Sequence, residues 1–291
     1  ELPCETSAAD RVRYMSLVAR ARDAVRRGAL RKVVCARGET LHAPMPFDGR
    51  SQHAALVVAA PSAIAFALRL DGLGTWLGAT PEVLVRANEG TLRTSAIAGT
   101  ALRAVDPEGA ALLVDAKIRE EHALVVEAMR ATLSPLVGEL TIATAPSVLR
   151  SERLVHLETP MTAMLGSNSL VAIAAALHPT PALGGAPRDE AMAWLRDHEE
   201  LDRGLFGGPI GWESASGDGV LAVGIRAALL RATDATLFAG AGIVGESDPE
   251  AEWEETAAKL GLARATLRFH SDERGTRPTE GVTTRSTEAA P

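Results

Sequence analysis

The chain is 291 residues long, 46% apolar and 23% charged, with a formal net charge of −7, a composition that fits a soluble globular protein of one large domain or two small ones. The acidic balance argues against a nucleic-acid or anionic-membrane partner, and the longest apolar run, near Leu170 to Leu177, is too short to span a bilayer. The N-terminus pairs no basic segment with an apolar one, and the two cysteines, Cys4 and Cys35, lack metal-ligand spacing, so the cytoplasm is the expected compartment, without a zinc site or a disulfide framework.

The spacing of Val12, Met15, Leu17, Val18 and Ala21 predicts a helix over residues 10–28, stopped by Gly28. A strand is predicted over 30–39, where period-2 alternation puts Lys32, Val34 and Ala36 on one face. Residues 54–60 read equally as a short helix or a strand. Strands follow over 63–70, 75–78, 83–87 and 91–102 with Gly-rich turns between them, then a long helix over 107–133. In the second half, strands are predicted at 140–143 and 153–157, helices over 168–177 and 188–201, and strands at 210–213, 220–230 and 236–239. Asp248 and Pro249 supply the cap and first position of a last helix reaching residue 269. Residues 270–291 are polar and rich in Thr, Glu, Arg and Pro, and read as a disordered tail after a single domain over 1–269. Strands joined by short turns outnumber strand–helix alternations. The expected fold class is therefore α+β, with large antiparallel or mixed sheets covered by helices.

Of the 30 basic residues, 27 are arginine and three are lysine: Lys32, Lys117 and Lys259. A lysine can give up its proton when buried or crowded by charge, whereas an arginine cannot, which marks three positions for inspection. On the last helix Glu252, Glu255 and Lys259 share one face, and Glu121 adjoins His122 on the long helix. A solvated acidic face accounts for either segment alone, while oxygen ligands from two helices would suit Mg²⁺. Gly240-Ala-Gly242-Ile-Val-Gly245 matches the dinucleotide-binding spacing. No second parallel strand with an acidic end follows it, so a nicotinamide site is not expected. Consecutive small residues there can still bring backbone amides against an anion such as a carboxylate.

Several segments, taken in order, resemble the chorismate-utilising enzymes, the family of isochorismate, salicylate, anthranilate and aminodeoxychorismate synthases. They are Lys32-Val-Val, Leu77-Gly-Ala-Thr-Pro-Glu82, Ala98-Gly-Thr100, Glu121-His122, His156-Leu-Glu-Thr159, Leu177-His-Pro-Thr-Pro-Ala-Leu-Gly-Gly185, Asp202-Arg-Gly-Leu-Phe-Gly-Gly-Pro-Ile-Gly-Trp212, Ile225-Arg226, and Ala239-Gly-Ala-Gly-Ile-Val244 with Glu255 and Lys259. The resemblance implies a chorismate-binding catalytic domain of two packed sheets, with helices outside and the active site between them. It further implies that Glu121 and Glu255 hold Mg²⁺. Arg226 and Lys259, with the amides of Gly240 and Gly242, would bind the substrate's carboxylates, a task to which a bidentate guanidinium is suited. Thr100 and His178 would line the ring pocket, although a turn hydroxyl and a core histidine are their ordinary readings. Lys32 matches the family's water-activating base and Glu82 its general acid.

Isochorismate formation adds water at C2 and expels hydroxide from C4, so it needs a base on one side of the ring and an acid on the other. Near neutral pH the lysine would have to be neutral and the glutamate protonated, which requires shifts in opposite directions. Lys32 separates this chain from ammonia-using members, which depend on a glutamine amidotransferase partner, and Ala98 stands where some of those carry a lysine nucleophile. Salicylate synthase, which goes on to eliminate pyruvate, is the alternative; Ala182-Leu183 and Phe206 resemble the isochorismate synthases. An inactive homologue would carry a damaged constellation, and every mapped position is retained. The expectation is an Mg²⁺-dependent isochorismate synthase serving siderophore or menaquinone synthesis. It would be monomeric, with chorismate as its small-molecule partner and no nucleic acid, membrane or amidotransferase subunit. Lys117 is left without a role.

Overall fold

The computed structural model describes residues 7–150 and 154–267; the predicted tail over 270–291 and Cys4 lie outside them. The chain opens with α1 (Ala8–Arg26), where Ser7 and Asp10 cap each other's backbone N–H and the face of Tyr14, Leu17, Val18 and Ala21 is buried. Next come β1 (Lys32–His42), α2 (Gly49–Ala59), β2 (Ile64–Leu70), β3 (Gly74–Thr80), β4 (Val83–Asn88) and β5 (Thr91–Leu102). They are followed by α3 (Ala110–Val114), α4 (Ala116–Leu133), β6 (Thr141–Ile142), β7 (Ser147–Arg150), β8 (Leu154–Met164), α5 (Leu170–Leu177), β9 (Gly185–Ala186) and α6 (Arg188–His198). The remainder is β10 (Pro209–Glu213), β11 (Gly219–Val223), β12 (Ala227–Arg231), β13 (Asp234–Ile243) and α7 (Pro249–Thr266).

Two antiparallel sheets result. One has six strands in the order β2-β3-β12-β13-β1-β9; the other runs β10-β11-β4-β5-β8-β6, with β7 also paired to β8. Alternation along β1 decides what each face meets. Val33 and Cys35 pack with Tyr14, Leu17 and Val18 of α1, whereas Lys32 and Val34 face the space between the sheets. The second sheet buries Leu92, Ala96 and Met161 under Val125, Met129 and Leu133 of α4 and Leu170 and Ile173 of α5. Each such fully buried aliphatic side chain contributes about 1.5–3 kcal/mol.

Two expectations are corrected and one open alternative is settled. The helix expected over 107–133 is broken at Asp115, whose backbone is extended and whose side chain accepts from the N–H of Ile118 to start α4 afresh. The strand expected over 220–230 is two strands in different sheets, separated at Gly224-Ile225-Arg226, with Arg226 left-handed at φ 52°. The ambiguous stretch at 54–60 belongs to a helix, started by Asp48 accepting from the N–H groups of Arg50 and Ser51.

The break near Arg226 has a counterpart. Just as β11 in one sheet passes through Gly224-Ile225-Arg226 into β12 of the other, β3 passes through Pro81-Glu82 into β4. The two crossovers lie side by side: the Val223 N–H donates to the Glu82 carbonyl at 2.9 Å, and the Ala79 N–H to the Arg226 carbonyl at 3.2 Å. Among the described residues no helix is long and apolar enough to cross a membrane.

Candidate active site

A cavity of about 320 Å³ opens between the sheets, within the range of roughly 300–1,000 Å³ usual for small-molecule pockets. Its walls come from β1 and β13 of one sheet, β5 and β8 of the other, the helices α4 and α7, and both crossovers. All three lysines of the chain line it, and each is paired with a carboxylate. Lys32 Nζ is 2.8 Å from Glu121 Oε1, Lys259 Nζ is 2.5 Å from Glu255 Oε1, and Lys117 Nζ is 3.4 Å from Glu252 Oε1. Lys32 is only 1% exposed, a degree of burial that a lysine tolerates only when paired.

Two glycines make these approaches possible. A Cβ on Gly242 would fall 2.5 Å from Glu121 Oε1 and 2.7 Å from Lys32 Cε, so the ion pair occupies the space a side chain would take. Gly99 has φ 80° and sits where the β5–β8 register shifts, and a Cβ there would meet Ile118 Cγ2 at 2.4 Å. The bulge lets α4 lie close on the strand. One turn further along the same face of α4, His122 fastens the helix to the sheet, with its ring nitrogens 3.3 Å from the Ala98 carbonyl and 2.7 Å from the Thr159 hydroxyl.

The glycine run of β13 is placed for anion contact. The N–H groups of Val34 and Ala36 donate away from β13, to the Gly184 carbonyl and to Glu199 Oε2. Their cross-strand partners Gly242 and Gly240 are therefore non-hydrogen-bonded pairs of the ladder and turn their own backbone groups to the open edge. The Gly240 carbonyl there accepts from Lys259 Nζ at 2.8 Å. Both glycines lie inside an antiparallel strand, which disposes of the dinucleotide-binding pattern.

Glu82 and Arg226 face the same cavity from the adjoining crossovers. Burial pushes the Glu82 carboxyl up to about 7, outweighing the opposing pull of Arg226, Lys32 and Lys259. Burial, with Arg226 and Lys259 nearby, drives the His156 imidazole down to about 3, so that ring is neutral at neutral pH. His156 Nδ1 shares a 2.9 Å hydrogen bond with the Thr100 hydroxyl, while its Nε2 is buried without a hydrogen-bond partner among the described residues.

Of the expected site residues, Lys32, Glu82, Thr100, Glu121, Arg226, Gly240, Gly242, Glu255 and Lys259 all line this one cavity. His178 does not line it. It is the C-cap of α5, with its N–H bonded back to the Ala174 carbonyl and its own carbonyl accepting from Arg188. The histidine in the wall is His156, on the strand whose register pairs it with Thr100. In the sequence His156 stands in a family-like motif with no part assigned, and the cross-strand pairing is the signal that brings it here. Lys117 and Glu252 are a further charged pair in this wall, with no local signal that places them in it.

The donor set suits a hard cation. Among the described residues no group of three or more His, Cys, Asp or Glu side chains could hold a metal by itself. Glu121 and Glu255 nevertheless offer oxygen from two helices to one cavity, which matches an ion that takes one or two carboxylates and completes its shell with water and substrate oxygens.

Comparison with known proteins identifies the family. Residues 3–267 match the family described as chorismate binding enzyme. The chain is 41% identical over 275 residues to the salicylate biosynthesis isochorismate synthase of Pseudomonas aeruginosa, covering 90% of this chain and 56% of that protein. It is 35% identical over 263 residues to the isochorismate synthase EntC of Escherichia coli, covering 88% and 67%. The solved structure of MenF, the menaquinone-specific isochorismate synthase from Escherichia coli, superposes with a TM-score of 0.82 at 31% identity, covering 92% of this chain and 63% of that one. The chain thus spans little more than half the length of its Pseudomonas relative.

Proposed function

The chain belongs to the chorismate binding enzyme family, and from that premise we propose that it isomerises chorismate to isochorismate with Mg²⁺ as cofactor. The observation that carries this reading is the presence, in one cavity, of a fully buried lysine and a glutamate whose carboxyl is raised to about 7. Lys32 takes the proton from the water that adds at C2. Glu82, protonated for much of its time near neutral pH, delivers a proton to the hydroxyl leaving C4. The acid needs a value close to the working pH, and burial supplies it.

The remaining residues hold the substrate. Arg226 and Lys259, with the edge-facing amides of Gly240 and Gly242, receive carboxylate oxygens. Thr100 and the neutral imidazole of His156 border the ring. Glu121 and Glu255 would hold Mg²⁺, which when bound would neutralise and anchor a substrate carboxylate. Ala182, Leu183 and Phe206 close the apolar side. Isochorismate formed in this way would supply siderophore or menaquinone synthesis, without an ammonia-delivering partner.

The test is to incubate the protein with chorismate and Mg²⁺, with and without ammonium, and separate the products by chromatography. Isochorismate without pyruvate is expected. Salicylate with stoichiometric pyruvate, or anthranilate in the ammonium arm, would refute the proposal.

A further inference from the structure

The proposed reaction leaves one lysine of the cavity unused. Lys117 lies one turn ahead of Glu121 on α4, and its Nζ reaches across to Glu252 on α7 at 3.4 Å. The Glu252 side chain is 5% exposed and also accepts a hydrogen bond from the Ser247 hydroxyl. Its surroundings are unfavourable for a carboxylate. Burial, then the charges of Glu255 and Glu121, raise its affinity for a proton, and Lys117 acts in the opposite sense. Glu252 is therefore within electrostatic reach of both carboxylates to which the cation is assigned. Asp115 lines the same cavity, but its side chain is committed to the N–H of Ile118.

We propose that Lys117 is a positioning residue that pairs with Glu252 across the gap between α4 and α7, keeps this third carboxylate off the cation, and so leaves coordination positions open for substrate oxygens. The inference rests on the assignment of Glu121 and Glu255 to Mg²⁺. Its reasoning is electrostatic. Mg²⁺ accepts a small, fixed number of oxygens, and each protein carboxylate added to them takes the place of a water or a substrate oxygen. A buried carboxylate that loses its partner seeks another positive charge, and a cation held by Glu121 and Glu255 would supply one. With Lys117 in place, Glu252 has a positive partner of its own at 3.4 Å and does not need the cation.

Titration calorimetry with Mg²⁺ alone, on the intact protein, separates the possibilities. Lys117→Met should bind Mg²⁺ roughly tenfold tighter, because a third carboxylate is released to it, and its KM for chorismate should rise while Lys117→Arg stays near the parent. Glu252→Gln should bind Mg²⁺ as the parent does, and adding it to Lys117→Met should restore the parent affinity. The proposal is overturned if Lys117→Met binds Mg²⁺ no tighter, if the double variant stays as tight as the single one, or if Glu252→Gln alone weakens binding. If Mg²⁺ binds the parent but Lys117→Met leaves its affinity unchanged, the metal assignment stands and the role of Lys117 falls. A parent that binds no Mg²⁺ removes both.

Discussion

Glu82 and Arg226 stand on the two crossovers that carry the chain from one sheet to the other, and backbone hydrogen bonds from Val223 to Glu82 and from Ala79 to Arg226 lock those crossovers together. A carboxyl and a guanidinium are thereby held in the wall of a single cavity by two adjoining, hydrogen-bonded crossovers. Burial still prevails over the guanidinium at Glu82.

Glu82→Gln should lower kcat by about 10²–10⁴-fold, the usual contribution of a positioned acid, with chorismate still bound. Because the carboxyl titrates at about 7, kcat/KM of the parent should fall as pH rises through that value, and a steady-state pH series should show the variant without this limb. The stability consequence has a definite sign. Between the ordinary value of 4.5 and about 7 the folded protein keeps a proton that the unfolded chain has released, so this group's contribution declines as pH rises across that window. Thermal unfolding across it should therefore fall less steeply in Glu82→Gln than in the parent.

Gly242→Ala tests the Lys32–Glu121 contact without touching either residue. The three atoms nearest the added Cβ are Glu121 Oε1, Lys32 Cε and Lys32 Nζ, so the ends of these side chains must give way and their contact is disturbed while the backbone can stay. Activity should drop at least about tenfold, with a loss of stability of about 1 kcal/mol, read by kinetics and denaturant unfolding together. A variant that lost both fully, or neither, would show that the close approach is not the reason for glycine.

Lys32→Gln should remove water addition while Mg²⁺ binding persists, since Glu121 and Glu255 are left intact. Measuring turnover and calorimetric metal affinity on the same preparation checks both halves. Retained turnover would deny Lys32 the part of base.

Glu255→Gln should weaken Mg²⁺ binding by about tenfold or more, and turnover should recover only at raised Mg²⁺. An unchanged metal requirement would take Glu255 out of the coordination shell.

Much of this arrangement is legible in the chain. Alternation along residues 30–39 puts Lys32 and Val34 on one face, and the structure keeps that face in the cavity. The Asp248-Pro249 start of the last helix and the shared face of Glu252, Glu255 and Lys259 are equally local facts, and α7 delivers all three to the site. What escapes is decided over long range. An apolar run such as 220–230 reads as one strand, because no local signal marks a change of sheet; packing against β3 and β4 does that. His178 and His156 lie in equally suggestive motifs, and only the pairing of β8 with β5 sets His156 beside Thr100. At residues 54–60 the apolar run has no strand or helix preference of its own, and the cap at Asp48, six residues earlier, makes the choice.

The most direct measurement is to run the reaction with Mg²⁺ in H₂¹⁸O and examine the early product by chromatography and mass spectrometry. Water addition from the Lys32 side predicts isochorismate carrying solvent oxygen in its C2 hydroxyl, with no pyruvate released. Unlabelled isochorismate, or labelled material that proceeds to salicylate and pyruvate, would contradict it.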